Sequence, residues 1–276
     1  MRFRYFLMGA LAVLCALGVL RAQKPFKEWP ALEYGNFAVP SDATVPSEWT
    51  RARLRYPDIT GYPNGSAGFG RFGFAGYWTM DYPRADRHAL AGVRRLTRIN
   101  ARSVEQVIDM DGSDDMYNWP MAYAVEVGYW TLPEGQAGQL REYLNRGGFL
   151  MVDDFHTERE YNIFWRSMQR VFPNRQWVDI PNEDPIFHVL YDLTDRVQVP
   201  GAQYLRSGIT YEKDETGRPE HWRAIYDEKG RIVVAICHNV DLGDAVEWSD
   251  DPEYPEKWAS LAYRIYMNYF VYDLTH

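Results

Sequence analysis

Between Leu140 and His156 the chain reads Leu-Arg-Glu-Tyr-Leu-Asn-Arg-Gly-Gly-Phe-Leu-Met-Val-Asp-Asp-Phe-His, an order that few folds accommodate. Gly147 and Gly148 can take the left-handed conformation that ends a helix. Phe149 to Val152 is then apolar without alternation, as a strand covered on both faces must be. Such a strand belongs inside a parallel sheet with helices on both sides. In open sheets of that kind ligands bind beyond the carboxyl ends of the strands, so Asp153, Asp154 and His156 stand where a site is expected.

The rest of the chain extends this reading to an α/β fold with a doubly wound, mainly parallel sheet. Phe72 to Thr79 reads as the first core strand, and Pro83 opens a helix to about Ile99 with Leu90, Val93 and Leu96 at core spacing. Val104 to Ile108 and Met121 to Val127 read as short strands, and Glu134 to Arg146 as the helix leading into the glycine pair. Thr157-Glu-Arg-Glu160 matches a capping box for a helix reaching Val171, followed by a strand over Trp177 to Ile180. Strand and helix in regular alternation imply crossover connections and a doubly wound sheet. From Val197 to Ile236 the pattern changes to antiparallel hairpins, carried by Tyr211-Glu-Lys, His221 to Tyr226 and Arg231 to Cys237. Trp258, Leu261, Ala262, Ile265 and Tyr269 mark one face of a closing helix. Three segments result: a leader over 1–22, an extended arm over 23–69 with prolines including Pro25, Pro30, Pro40, Pro46 and Pro57, and an α/β domain over 70–276.

The leader has the form of a secretory signal, with Arg2 and Arg4 before the apolar run Phe6 to Leu20 and Ala22 at the cut. It predicts a periplasmic or secreted protein beginning near Gln23, with no stable membrane insertion after cleavage. A retained anchor is the alternative, because Leu20-Arg21-Ala22 is a poor cleavage sequence. The formal charge of −8 becomes more negative once Arg2, Arg4 and Arg21 are removed, which excludes nucleic acid as a natural partner. Only Cys237 survives cleavage, so packing rather than disulfides must hold the domain. Aromatic residues make up 16 % of the chain and supply that packing.

Three segments with ionisable residues follow expected strands. They are Asp81 with Asp86, Arg87 and His88; Asp153, Asp154 and His156; and His238 with Asn239, Asp241 and Asp244. If their strands run parallel, the segments share one crevice. Asp153, Asp154, His156 and His238 are then the candidates for acid and base catalysis, since neighbouring like charges raise one carboxyl pKa toward neutrality. Asp81, Asp86, Arg87, His88, Asn239, Asp241 and Asp244 are the candidate ligand contacts. The competing structural reading has the aspartates capping turns and His238 bonded to a buried carbonyl. No cofactor is expected, and the alternative is a divalent metal held first by His156, His238 and Asp154.

Other features lead elsewhere. Gly68-Phe-Gly70-Arg-Phe-Gly73 matches a dinucleotide fingerprint in letters but precedes a strand instead of following one. Cys237 ends an apolar strand and reads as a small core residue. The arginines from Arg84 to Arg102 read as a solvated helix face, with Arg87 near enough to the helix start to meet an anion. Trp78, Trp119, Trp130, Trp222 and Trp248 are candidates for stacking on sugar rings.

Taken together, Tyr77 to His88, Gly147 to His156, Asp184-Pro-Ile-Phe-His188, Val199-Pro-Gly-Ala-Gln-Tyr204 and Ile236 to Asp244 resemble the bacterial family called domain of unknown function 4159. The likeness runs from about residue 70 to the end. It implies a branch of the type 1 glutamine amidotransferase-like superfold, with a flavodoxin-like sheet that agrees with the strand order read above, of unestablished activity and often in envelope contexts. The glycine pair, strand and histidine also resemble trehalose-utilisation-type proteins of that superfold, a fold analogy that transfers no reaction. The cysteine elbow of true amidotransferases is missing, which argues against glutamine hydrolysis by a thiolate. The expectation is an exported domain binding a small polar ligand, saccharide-like or peptide, in its crevice. A hydrolase using the Asp and His residues, or a scaffold docking an envelope protein, are the rivals.

Overall fold

The computed structural model describes residues 24–31, 37–59 and 76–276. Within them seven strands form one sheet: β1 (Ala52–Arg55), β2 (Gln106–Asp109), β3 (Met121–Val125), β4 (Phe149–Asp153), β5 (Val178–Asp179), β6 (His221–Tyr226) and β7 (Ile232–His238). Their order is β2-β1-β3-β4-β7-β6-β5. The first five in that order pair in parallel, and β6 and β5 are added antiparallel. The parallel part has the strand order of a flavodoxin-like sheet. As its apolar run requires, β4 is interior, with β3 on one side and β7 on the other, and all five of its residues are buried.

Pleating sends alternate residues of β4 to opposite layers. Phe149 and Met151 face one core with Leu90 and Val93 of α1 (Arg84–Leu96) and the apolar stripe of the long C-terminal helix Glu256–Thr275. Leu150 and Val152 face the other core, with Leu140 and Leu144 of α2 (Glu134–Asn145) and Phe164, Met168 and Val171 of α3 (Thr157–Val171). Two short helices, α4 (Tyr204–Ser207) and α5 (Leu242–Glu247), precede the C-terminal helix, α6. Among the described residues no helix is long and apolar enough to cross a membrane. The expected leader over 1–22 lies outside the described residues, as does the glycine fingerprint at Gly68 to Gly73.

Three local expectations need correction. The first sheet strand comes from the segment read as an arm: β1 lies between β2 and β3, while Tyr77–Thr79 forms a 3-10 turn and Phe72 to Ala75 fall outside the described residues. Ala-Arg-Leu-Arg conceals an interior strand because Arg53 is fully buried, its charge met by Asp86 at 2.6 Å. Tyr211-Glu-Lys is not a strand but part of a loop between β5 and β6 that folds back over the strand ends. Gln198 Nε2 ties that loop down by donating to Gly217 O at 2.7 Å and Asn239 O at 2.9 Å. At α3 the cap shifts by one residue: His156 is the N-cap, and its backbone N–H donates to Glu160 Oε2 at 2.6 Å.

Candidate functional site

Because β1, β3, β4 and β7 run the same way, their next residues meet at one edge. Backbone bonds carry the register past the strands: Glu126 N donates to Asp153 O at 3.1 Å, and Asp154 N to Val240 O at 3.2 Å. The Tyr56 hydroxyl donates to Val125 O at 2.6 Å and also lies 2.9 Å from Glu126 O, fixing the turn after β3. Six non-glycine residues among those described have left-handed φ: Asp81, Glu126, Asp154, Thr157, Lys213 and Asn239. All belong to this edge or to the loop above it. Such conformations cost free energy and concentrate where side-chain placement matters more than stability.

The edge encloses a cavity of about 330 Å³. Asp81, Glu126, Asp154, Glu212, Asp241 and Asp244 line it, with Met80, Gln203, Arg206 and Trp248 among the remaining walls. Two subsets are tight. One ligand atom from each of Asp154, His156 and Glu212 lies within 4.8 Å of the others, and the same holds for Asp81, Asp241 and Asp244. The close approach needs glycine at two positions: a Cβ on Gly243 would lie 2.2 Å from Asp81 Oδ2, and one on Gly201 would lie 2.4 Å from Asp241 Oδ2.

Crowded acids out of water resist ionisation. Burial pushes the Asp241 carboxyl well above the usual range, reinforced by Asp154, Asp244 and Asp81. Burial does the same to Glu126, with Asp154 adding to it, and raises Glu212 and Asp244. Burial alone would lower His156, but Asp154 at 3.1 Å and Glu212 at 3.8 Å raise it overall. Lys213 is likewise disfavoured by burial and held charged by Glu126 and Glu160, the latter 2.7 Å away.

Of the residues singled out by sequence, Asp81, Asp154, Asp241 and Asp244 line the cavity, and His156 reaches it through Asp154 and Glu212. The others stand elsewhere. Asp153 is buried, accepting Tyr123 OH at 3.1 Å and the backbone N–H of Gly243 at 2.9 Å, so it anchors the start of α5. Burial, then Asp154, pushes its carboxyl up to about 7. Asn239 clamps the loop, accepting Thr157 N–H at 2.9 Å and donating to Pro219 O at 2.7 Å. Asp86 pairs with Arg51 and Arg53, Arg87 with Glu105 at 3.2 Å, and His88 Nδ1 contacts Val246 O at 3.0 Å. Cys237 is buried within β7, where burial pushes its thiol well up. Trp248 alone of the five tryptophans lines the cavity; Trp78, Trp119, Trp130 and Trp222 are buried.

His238 packs between Phe155, Tyr161 and His221, with Nε2 3.1 Å from Thr157 O. Burial pushes its pKa down to about 3, and His221 and Arg223 act in the same direction. A depressed imidazole contributes stability above its ordinary value of 6.5, and that contribution is lost as pH falls toward about 3. Between pH 6.5 and 4.5 the wild type should lose about 2–3 kcal/mol more than His238→Gln. Urea unfolding at both pH values checks this, and parallel pH slopes would contradict it.

Sequence reading misses Glu126 and Glu212. Glu126 is hidden by extending β3 two residues too far, and Glu212 by taking its loop for a hairpin. A comparison with curated proteins finds no match for the chain. A family model does match, over residues 68–274 and hence most of the chain, and on that match the protein belongs to the family described as Domain of unknown function (DUF4159).

Proposed function

We propose that this is an exported envelope domain whose crevice binds a small polar ligand rich in hydroxyl or ammonium donors, such as a saccharide or an amino-bearing peptide. The convergence of six carboxylates on one cavity carries this reading. Their oxygens accept hydrogen bonds, so they favour donors and disfavour anions. Trp248 is on the wall, and an indole ring can stack on the apolar side of a sugar. Export is supported by the basic start and apolar run of residues 2–20.

Calorimetric titration with cell-wall amino sugars, neutral oligosaccharides and short peptides tests the ligand reading. Saturable binding to a donor-rich ligand, weakened at least tenfold by Asp81→Asn, is expected. Binding confined to anionic ligands, or unaffected by that change, would refute it.

A second reading, hydrolysis by acid and base catalysis, is favoured by one observation. Asp154 and His156 lie 3.1 Å apart beside Glu126, whose carboxyl is pushed well above the usual range by burial and by Asp154. In that reading Glu126 is the acid, and Asp153 and His238 support the site without facing it.

A further inference from the structure

We propose that the crevice holds two divalent cations, one on Asp154, His156 and Glu212 and the other on Asp81, Asp241 and Asp244. Each set places its ligand atoms within 4.8 Å, close enough for one ion to touch all three. Both sets open on the same cavity.

Two further observations point to an ion, beyond the grouping of acids. The first is His156, a side chain only 2 % exposed whose Nε2 is aimed at Asp154 Oδ1 and Glu212 Oε1. An imidazole inside a carboxylate set is a ligand choice typical of manganese, iron or zinc centres. The second is Glu126, more than nine-tenths buried on the cavity wall, whose Oε2 accepts no hydrogen bond among the described residues. The cation nearest that oxygen, Lys213 Nζ, is 3.7 Å away and already bonded to Glu160. Among the described residues, Arg206 is the only basic one on the wall itself. The positive charge they supply is therefore small against six carboxylates, and two dications would balance four of them.

The two sets differ in chemistry. One nitrogen with two carboxylates suits a transition metal, whereas three aspartates suit a harder ion. Manganese satisfies both, which makes it the probe. The inference rests on ligand atoms and not on the polar-ligand reading: sugar binding by a chain that takes up no Mn²⁺ would keep that reading and reject this one.

The test is titration of the full chain, freed of metal by chelation, with Mn²⁺ followed by calorimetry and by the loss of the free-ion EPR signal. Two equivalents per chain are expected. Glu212→Gln should leave one equivalent, and Asp244→Asn should independently leave one. Circular dichroism on both variants confirms that they are folded. Wild type binding fewer than two equivalents at 1 mM Mn²⁺, or two equivalents persisting in both variants, would overturn the proposal. Because the wild-type stoichiometry stands alone, a variant that fails to fold does not protect the inference.

Discussion

Arg53→Ala is expected to destabilise the protein by about 3–5 kcal/mol, because it leaves a buried carboxylate short of a partner. Arg53 is fully buried, with Nε 2.6 Å from Asp86 Oδ2 and Nη1 donating to Trp78 O and Met80 O, each at 3.0 Å. Arg51 remains 3.1 Å from Asp86, so the carboxylate keeps one ion pair, but both carbonyls lose this donor. Those carbonyls belong to the segment that delivers Asp81 to the cavity, so the same guanidinium joins the core to the site. The exposed Arg98→Ala serves as the control and should stay within about 0.5 kcal/mol of wild type. Denaturant melts of the two compare them directly. An Arg53→Ala midpoint indistinguishable from that of Arg98→Ala would mean that Ala52–Arg55 is not an interior strand.

That strand also shows where sequence reading stops. The parallel sheet is legible from Phe149 to Val152, because four apolar residues in succession have only one economical environment. The helices over Glu134 to Asn145 and Thr157 to Val171 are legible from their spacing and flanking residues. β1 is not, since an interior strand with two arginines looks polar until Asp86, 33 residues from Arg53, is brought beside it. The site divides in the same way. Asp154, Asp241 and Asp244 follow directly on readable strands. Glu212 arrives by a long loop whose path depends on Gln198 and Asn239, and no local pattern records that tie. His238 and Asp153 look like their neighbours in sequence, but the pleat and the start of α5 turn them into packing and anchoring groups.

If the carboxylates at the strand ends are held together for binding, their crowding comes at a cost to stability. Asp241→Asn separates this from a purely structural role. Asparagine can still cap α5, where Asp241 Oδ1 accepts Asp244 N–H at 2.7 Å, so the substitution removes charge while keeping the cap. The Asp241 carboxyl is raised by burial and by Asp154, Asp244 and Asp81. Its contribution to stability is therefore full at low pH and is lost as pH rises through the folded pKa. Asparagine has no such loss, so its advantage should grow from pH 4 to pH 8. The decisive measurement is the melting temperature of Asp241→Asn against wild type at pH 8 in chelator, then with Mn²⁺. The expected result is a variant melting about 2–5 °C higher, corresponding to roughly 1–2 kcal/mol of relieved repulsion, with a smaller stabilisation by Mn²⁺ than the wild type shows. A variant melting several degrees lower, with an undiminished response to the ion, would contradict it.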